Sequence, residues 1–143
     1  MADRAKKYFT VAEAERLVPR LEELVSRITD CHAEAGQLRG ALEQSQRELM
    51  LAGGMRLDQE FWRSRKARLG RAATELEEKI GEILALGAVP KDLGLGLVDF
   101  PSRLDDREVN LCWRLGERRI RFWHDPDEGY AGRKPLPEAA EEE

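Results

Sequence analysis

From Leu17 to Leu49 the apolar residues return at alternating steps of four and three: Leu17, Leu21, Leu24, Ile28, Cys31, Ala35, Leu38, Leu42, Ser45, Leu49. Ser45 is the polar member of the series. A heptad seam sustained this far predicts a long α-helix with one face laid against another helix. Val18 and Val25 widen the stripe in its first half, where Arg39 and Gln46 hold the equivalent later places. The first half should therefore meet a broad partner and the second a single helix. Thr10-Val-Ala-Glu13 reads as a capping box, with hydroxyl and carboxylate each serving the other's backbone N–H. Pro19 lacks an N–H and crowds the preceding turn, so a kink or a restart is expected there. Residues 10–52 form this first predicted helix.

Gly53-Gly54 breaks the pattern, and Asp58 is suited to cap a second helix over 58–87. Its seam reads Trp62, Leu69, Ala73, Leu76, Ile80 and Ile83, interrupted at Lys66. Gly87 and Pro90 stop it. Two long seams joined by a short break predict an antiparallel, coiled-coil-like helical hairpin.

The period then changes to two. Leu97–Phe100, Glu108–Leu115 and Arg119–His124 read as a three-stranded antiparallel meander within 96–125. Asp105-Asp106 and Gly116-Glu117 are taken as two-residue turns. This register sets Phe100 and Phe122 opposite Leu111, and Val98 and Ile120 opposite Trp113. One face carries Val98, Phe100, Val109, Leu111, Trp113, Leu115, Ile120 and Phe122, with His124 at its edge. The other carries Asp99, Glu108, Asn110, Cys112, Arg114, Arg119, Arg121, Trp123 and Asp125. The fold class is thus α+β in a single domain, with 126–136 as a loop docking on the sheet and 137–143 expected to be disordered.

Composition narrows the setting. Charged residues are 36% of 143, well above the average of about a quarter, as long solvated helices require. The net charge of -4 says little about partners. Cys31 and Cys112 form no CxxC pair, the first residues lack an apolar leader, and no apolar run reaches the ~20 residues of a membrane helix. A cytoplasmic chain with free thiols and no membrane partner is expected.

Length supports self-association. A helix from Pro19 to Leu51 is on the order of 50 Å long, whereas a strand covers roughly 20 Å. The sheet caps only the open end of the hairpin, and the tip half of the seam needs a further neighbour. A homodimer through the hairpins is expected, presenting the sheet to an unknown protein partner.

Three groups of residues offer chemistry. His124 is followed by Asp125, Asp127 and Glu128, and a histidine among carboxylates can bind a metal or act as a base. The plainer reading is an imidazole closing the apolar face. A calcium loop starting at Asp125 lacks its closing glutamate, since Leu136 stands there. No metal or other cofactor is therefore expected. The polar sheet face sets Arg114 and Arg121 beside Trp123, with Tyr130 and Arg133 in a covering loop, an arrangement that can hold an anionic ligand. Arg114, Arg121, Trp123, His124, Asp125, Tyr130 and Arg133 are the candidate ligand-binding residues, with no catalytic assignment. Cys31 reads as an inert seam thiol. A pairing of Cys112 with His124 is not expected, because this register puts them on opposite faces. Arg56, Arg63, Arg65, Lys66, Arg68 and Arg71 near the tip raise nucleic-acid binding, but they run around the helix, so a solvated surface is the reading taken.

The leading reading is a non-enzymatic, self-associating interaction module. A ligand- or metal-binding protein is the alternative, and a nucleic-acid-binding tip stands third.

Two stretches carry a resemblance. One is Gly96-Leu-Val-Asp-Phe-Pro-Ser102, Val109-Asn-Leu-Cys-Trp-Arg-Leu-Gly-Glu117, Phe122-Trp-His-Asp125 and Gly129-Tyr-Ala-Gly-Arg133. The other is Tyr8-Phe-Thr-Val-Ala-Glu-Ala14 with Leu17-Val-Pro-Arg-Leu21. The chain resembles a bacterial family catalogued as domain of unknown function 2203. The resemblance implies the same helices-then-sheet layout and implies no activity.

Overall fold

Thr10 accepts the Glu13 amide at 3.1 Å, and Glu13 accepts the Thr10 amide at 2.9 Å, closing the capping box that starts helix α1, Val11–Arg16. The computed structural model describes residues 7–53 and 58–137. Gly54, Arg56 and residues 138–143, with the disorder expected for them, lie outside this range. Helix α2, Val18–Leu51, restarts after Leu17 with Pro19 in its first turn, where a missing N–H costs no hydrogen bond. Helix α3, Gln59–Leu86, is capped by Asp58, which accepts the Phe61 amide at 3.1 Å, and ends at Gly87 with φ 98°.

The two long helices run antiparallel. Arg20 pairs with Glu82, Arg27 with Glu75 and Glu34 with Arg68, so rising numbers on one meet falling numbers on the other. The α2 seam is buried from Leu21 to Leu42, as its spacing predicts. On α3 it is Ala72 that is buried, while Ala73 is exposed. Both stand a helical step from Leu69, and periodicity alone does not separate them.

The fold is α+β, with a five-stranded antiparallel sheet in the order β1-β2-β3-β4-β5. The strands are β1 Val89–Asp92, β2 Leu97–Leu104, β3 Arg107–Arg114, β4 Phe122–His124 and β5 Lys134–Pro135. The three-stranded expectation is corrected at both edges. β1 contains Pro90 and β5 ends on Pro135, and proline marks edge strands that a search for alternation passes over.

The first predicted turn matches the structure. Asp105 and Asp106 take φ 53° and 63°, the left-handed pair of a tight hairpin, and Phe100 faces Leu111 as Val98 faces Trp113. The second does not. β3 and β4 are joined through residues 115–121, and Trp123, not Phe122, stands opposite Leu111. The register is shifted by one residue, which exchanges the faces of everything on β4. Trp123 packs on the hydrophobic core beneath Lys134 and Arg107, and Phe122 and His124 join Cys112 on the other face.

The core lies between this sheet and the open end of the helix pair. Leu21, Leu24, Val25, Ile28 and Ile83 meet Val98, Phe100, Leu111, Trp113 and Ile120. The N-terminal segment is tied to β2, where the Phe9 amide donates to Pro101 at 2.8 Å and Ser102 donates to the Phe9 carbonyl at 2.6 Å.

Candidate functional site

Asp99 on β2 pairs with Cys112 on β3, which pairs with Phe122 on β4; His124 follows two residues on along the same face. Backbone ladders thus bring three chemically distinct side chains together. Asp99, Cys112 and His124 are 2%, 1% and 2% exposed, so none is a solvated surface group. Their donor atoms lie within 4.8 Å of one another.

The hydrogen bonds at His124 set its tautomer. Nδ1 lies 2.8 Å from the Asp125 carbonyl, which only accepts, so Nδ1 carries a hydrogen. Nε2 faces Asp99 Oδ1 at 3.1 Å. A neutral ring would then meet a carboxylate lone pair with a lone pair of its own, so a proton or a cation has to lie between them. Asp99 Oδ2 is buried and has no hydrogen-bond partner. The neighbouring Cys112 thiol is a weak donor whose proximity favours the ionised carboxylate, without reaching hydrogen-bonding geometry at Oδ2. Burial pushes the Asp99 carboxyl above its ordinary range, with His124 acting against it. Burial pushes the Cys112 thiol up to about 11, with Arg133 acting against it. Both nitrogens of His124 are engaged, so it is not placed as a base for Cys112, and the trio is not a nucleophile–base pair.

Above the trio lies a cavity of about 320 Å³. Leu97, Asp99, Cys112 and His124 form its buried floor. Lys91 and Leu95 from the first hairpin, and Glu128, Gly129 and Tyr130 from the loop after β4, form its exposed mouth. The loop is held from two sides. Arg133 donates to the Cys112 carbonyl at 3.0 Å and to Glu117 at 2.7 Å, and its guanidinium stacks on Phe122 and Tyr130. Lys134 pairs with Glu128 at 2.6 Å and holds the Glu128 carboxylate below its usual range, helped by the Asp125 amide.

The predicted site residues separate into groups. His124 is on the cavity floor and Tyr130 at its mouth. Arg114 donates to the Tyr130 hydroxyl at 3.1 Å, and Arg133 clamps the loop, so both act as supports. Asp125 pairs with Arg107 and gives its carbonyl to His124. Arg121 is exposed and reaches the loop through its backbone carbonyl, which accepts the Leu136 amide at 2.8 Å. Trp123, expected beside the arginines, is on the opposite face because of the register shift. For the same reason His124 does not close the apolar face, and the expected separation of Cys112 from His124 is corrected. Asp99 and Cys112, opposite one another even in the predicted register, were not among the candidates. A turn longer by one residue would have brought His124 to them.

At the tip, Arg68 pairs with Glu34, Arg63 with Glu60, and Arg65 and Lys66 lie over the rings of Phe61 and Trp62. Among the described residues, no helix is long and apolar enough to cross a membrane.

Residues 7–136 match the family described as Uncharacterized conserved protein (DUF2203), and the chain belongs to that family. Comparison with curated proteins and with solved structures gave no match.

Proposed function

We propose that this protein binds a small ligand in the cavity over Asp99, Cys112 and His124. The unpartnered, buried Oδ2 of Asp99 at the cavity floor carries this reading. A buried carboxylate oxygen without a donor costs on the order of 1 to 3 kcal/mol or more, and a ligand that supplies the missing positive or donor group recovers that cost. The cavity, a concave space with convergent polar groups, is near the lower end of ordinary ligand pockets at ~300 Å³.

Gly129 supplies the test. It lines the cavity, has φ −113°, and an added Cβ meets nothing within 4 Å. Gly129→Phe should fold and fill the mouth. Native mass spectrometry of untagged protein, incubated with cell extract and rebuffered, is expected to show an added mass on the wild type that Gly129→Phe lacks or holds weakly. A wild type that stays at its bare mass, or equal organic adducts on both chains, sinks the reading.

Self-association of the helix pair, as an intracellular interaction module, is the second reading. Met50 and Leu51, at the end of α2 away from the sheet, are 72% and 89% exposed, and Leu49 and Trp62 line a cleft beside them. Pairing with a second copy, in coiled-coil fashion, would cover these groups. Light scattering at rising concentration tests it, and a monomer at high micromolar concentration removes it.

A further inference from the structure

We propose that the ligand held at the cavity floor is a zinc ion, coordinated by Asp99, Cys112 Sγ and His124 Nε2, with its fourth position facing the cavity. The inference rests on the ligand-binding reading and names its ligand.

Geometry comes first. Tetrahedral zinc with bonds of about 2.0–2.1 Å to nitrogen or oxygen and 2.3 Å to sulfur needs its donors about 3.3–3.6 Å apart. The Nε2–Oδ1 separation is 3.1 Å, and all three donor atoms fall within 4.8 Å. Side-chain shifts of about an ångström or less reach the required spacing. The donors stand on three neighbouring strands, Asp99 paired with Cys112 and His124 two residues on from Phe122, the β4 partner of Cys112, so the hydrogen-bond ladder holds that spacing.

Orientation comes second. A histidine ligand ordinarily donates its other N–H to a carbonyl or carboxylate, which fixes the tautomer and aims the lone pair. His124 does this through Nδ1 to the Asp125 carbonyl, which aims the Nε2 lone pair at the space it shares with Asp99 Oδ1. The Asp99 oxygen it faces is an acceptor, so the line between them calls for a positive centre.

Charge and donor type come third. A dication with one thiolate and one carboxylate is locally neutral, which a buried site requires. Each zinc bound displaces the Cys112 thiol proton and the proton between His124 and Asp99, two protons for one ion. Sulfur and imidazole donors select against magnesium and calcium, which take oxygen ligands. Three protein ligands leave one position open to the cavity for water or an exogenous donor.

Cobalt(II) titrated into metal-free protein is the test. A thiolate-to-cobalt charge-transfer absorption should rise to one equivalent and disappear on adding zinc. Cys31→Ser should keep the band and Cys112→Ser, with its fold checked by circular dichroism, should lose it. Asp99→Asn keeps the side-chain size and should weaken cobalt binding by at least roughly tenfold. The proposal is overturned by a wild type without the band, by a folded Cys112→Ser that keeps it, or by Asp99→Asn with undiminished affinity. No cobalt uptake together with an organic adduct that Gly129→Phe loses removes zinc and leaves the cavity reading; no uptake and no adduct removes both.

Discussion

The indole nitrogen of Trp113 donates to the carbonyl of Glu117 at 2.8 Å, and this bond lies where a tight hairpin would have closed. The Glu117 carboxylate meanwhile accepts the Arg114 amide at 2.8 Å, and Glu15 from α1 accepts the Ile120 amide at 3.1 Å. The connection is thus spread over residues 115–121 and pinned by side chains, and β4 enters one residue out of the simpler register. The presence of His124 beside Cys112 follows from that offset. Trp113→Phe keeps a buried ring but removes the donor and leaves a small void at a residue that is 0% exposed. A loss on the order of 2 to 3 kcal/mol is expected from urea unfolding. A loss under half a kilocalorie would mean that the bond does not hold the connection.

Much of this fold was legible in the residues themselves. Both helix caps and the Asp105-Asp106 turn arise from contacts close in sequence, and the α2 seam, though its partners are distant, is written in a local periodicity, so local pattern reports them all. The β3–β4 connection was not, because the groups that shape it, Trp113 and Glu15, act from outside the turn. β1 and β5 were missed since short proline-bearing edge strands carry little alternation. The candidate site shared the fate of the register. Asp99 and Cys112 were correctly set on one face, but a one-residue error in β4 sent His124 across the sheet and brought Trp123 in its place. Period-two arguments fail in this all-or-none way: a register shifted by one inverts a whole strand.

Arg27 grips Glu75 with two hydrogen bonds of 2.6 Å between α2 and α3. The hydrogen bond from Arg27 holds the Glu75 carboxyl below its usual range. A depressed carboxylate contributes stability that is present above its unfolded value of about 4.3 and fades as pH falls through the folded value. The pair is half exposed, so the contribution is modest. Glu75→Gln should therefore melt slightly below the wild type at neutral pH, and the two melting temperatures should converge in acid. A gap that stays constant down to the acid limit would assign the effect to packing instead of charge.

Both thiols are 1% exposed, Cys31 in the helix seam and Cys112 under the loop clamped by Arg133. A disulfide-forming reagent should modify neither in the native, metal-free chain and both after unfolding. Arg133→Ala releases the Cys112 carbonyl and the stacking on Phe122 and Tyr130, so Cys112 alone should become reactive in the folded protein. Peptide mapping of the labelled chain identifies the site. Equal labelling of Cys31 and Cys112 would show global unfolding and count against a loop-specific clamp.

Gly96 and Gly116 both have left-handed backbone, with φ 72° and 103°, yet they should respond differently to alanine. At Gly96 an added Cβ would lie 2.8 Å from Leu115 Cβ and 3.0 Å from Val25 Cγ1. The first of these is fixed to backbone that donates its amide to the Gly96 carbonyl at 3.0 Å, so it cannot swing aside. At Gly116 the same atom meets open space. Gly116→Ala should cost about 1 to 2 kcal/mol from the left-handed conformation alone. Gly96→Ala adds overpacking to that cost and should lose roughly 2 to 4 kcal/mol. Paired urea titrations measure the difference directly. Equal losses would mean that the first hairpin yields at Gly96, and the cavity wall it forms with Lys91 and Leu95 would then be softer than its contacts with α2 and β3 imply.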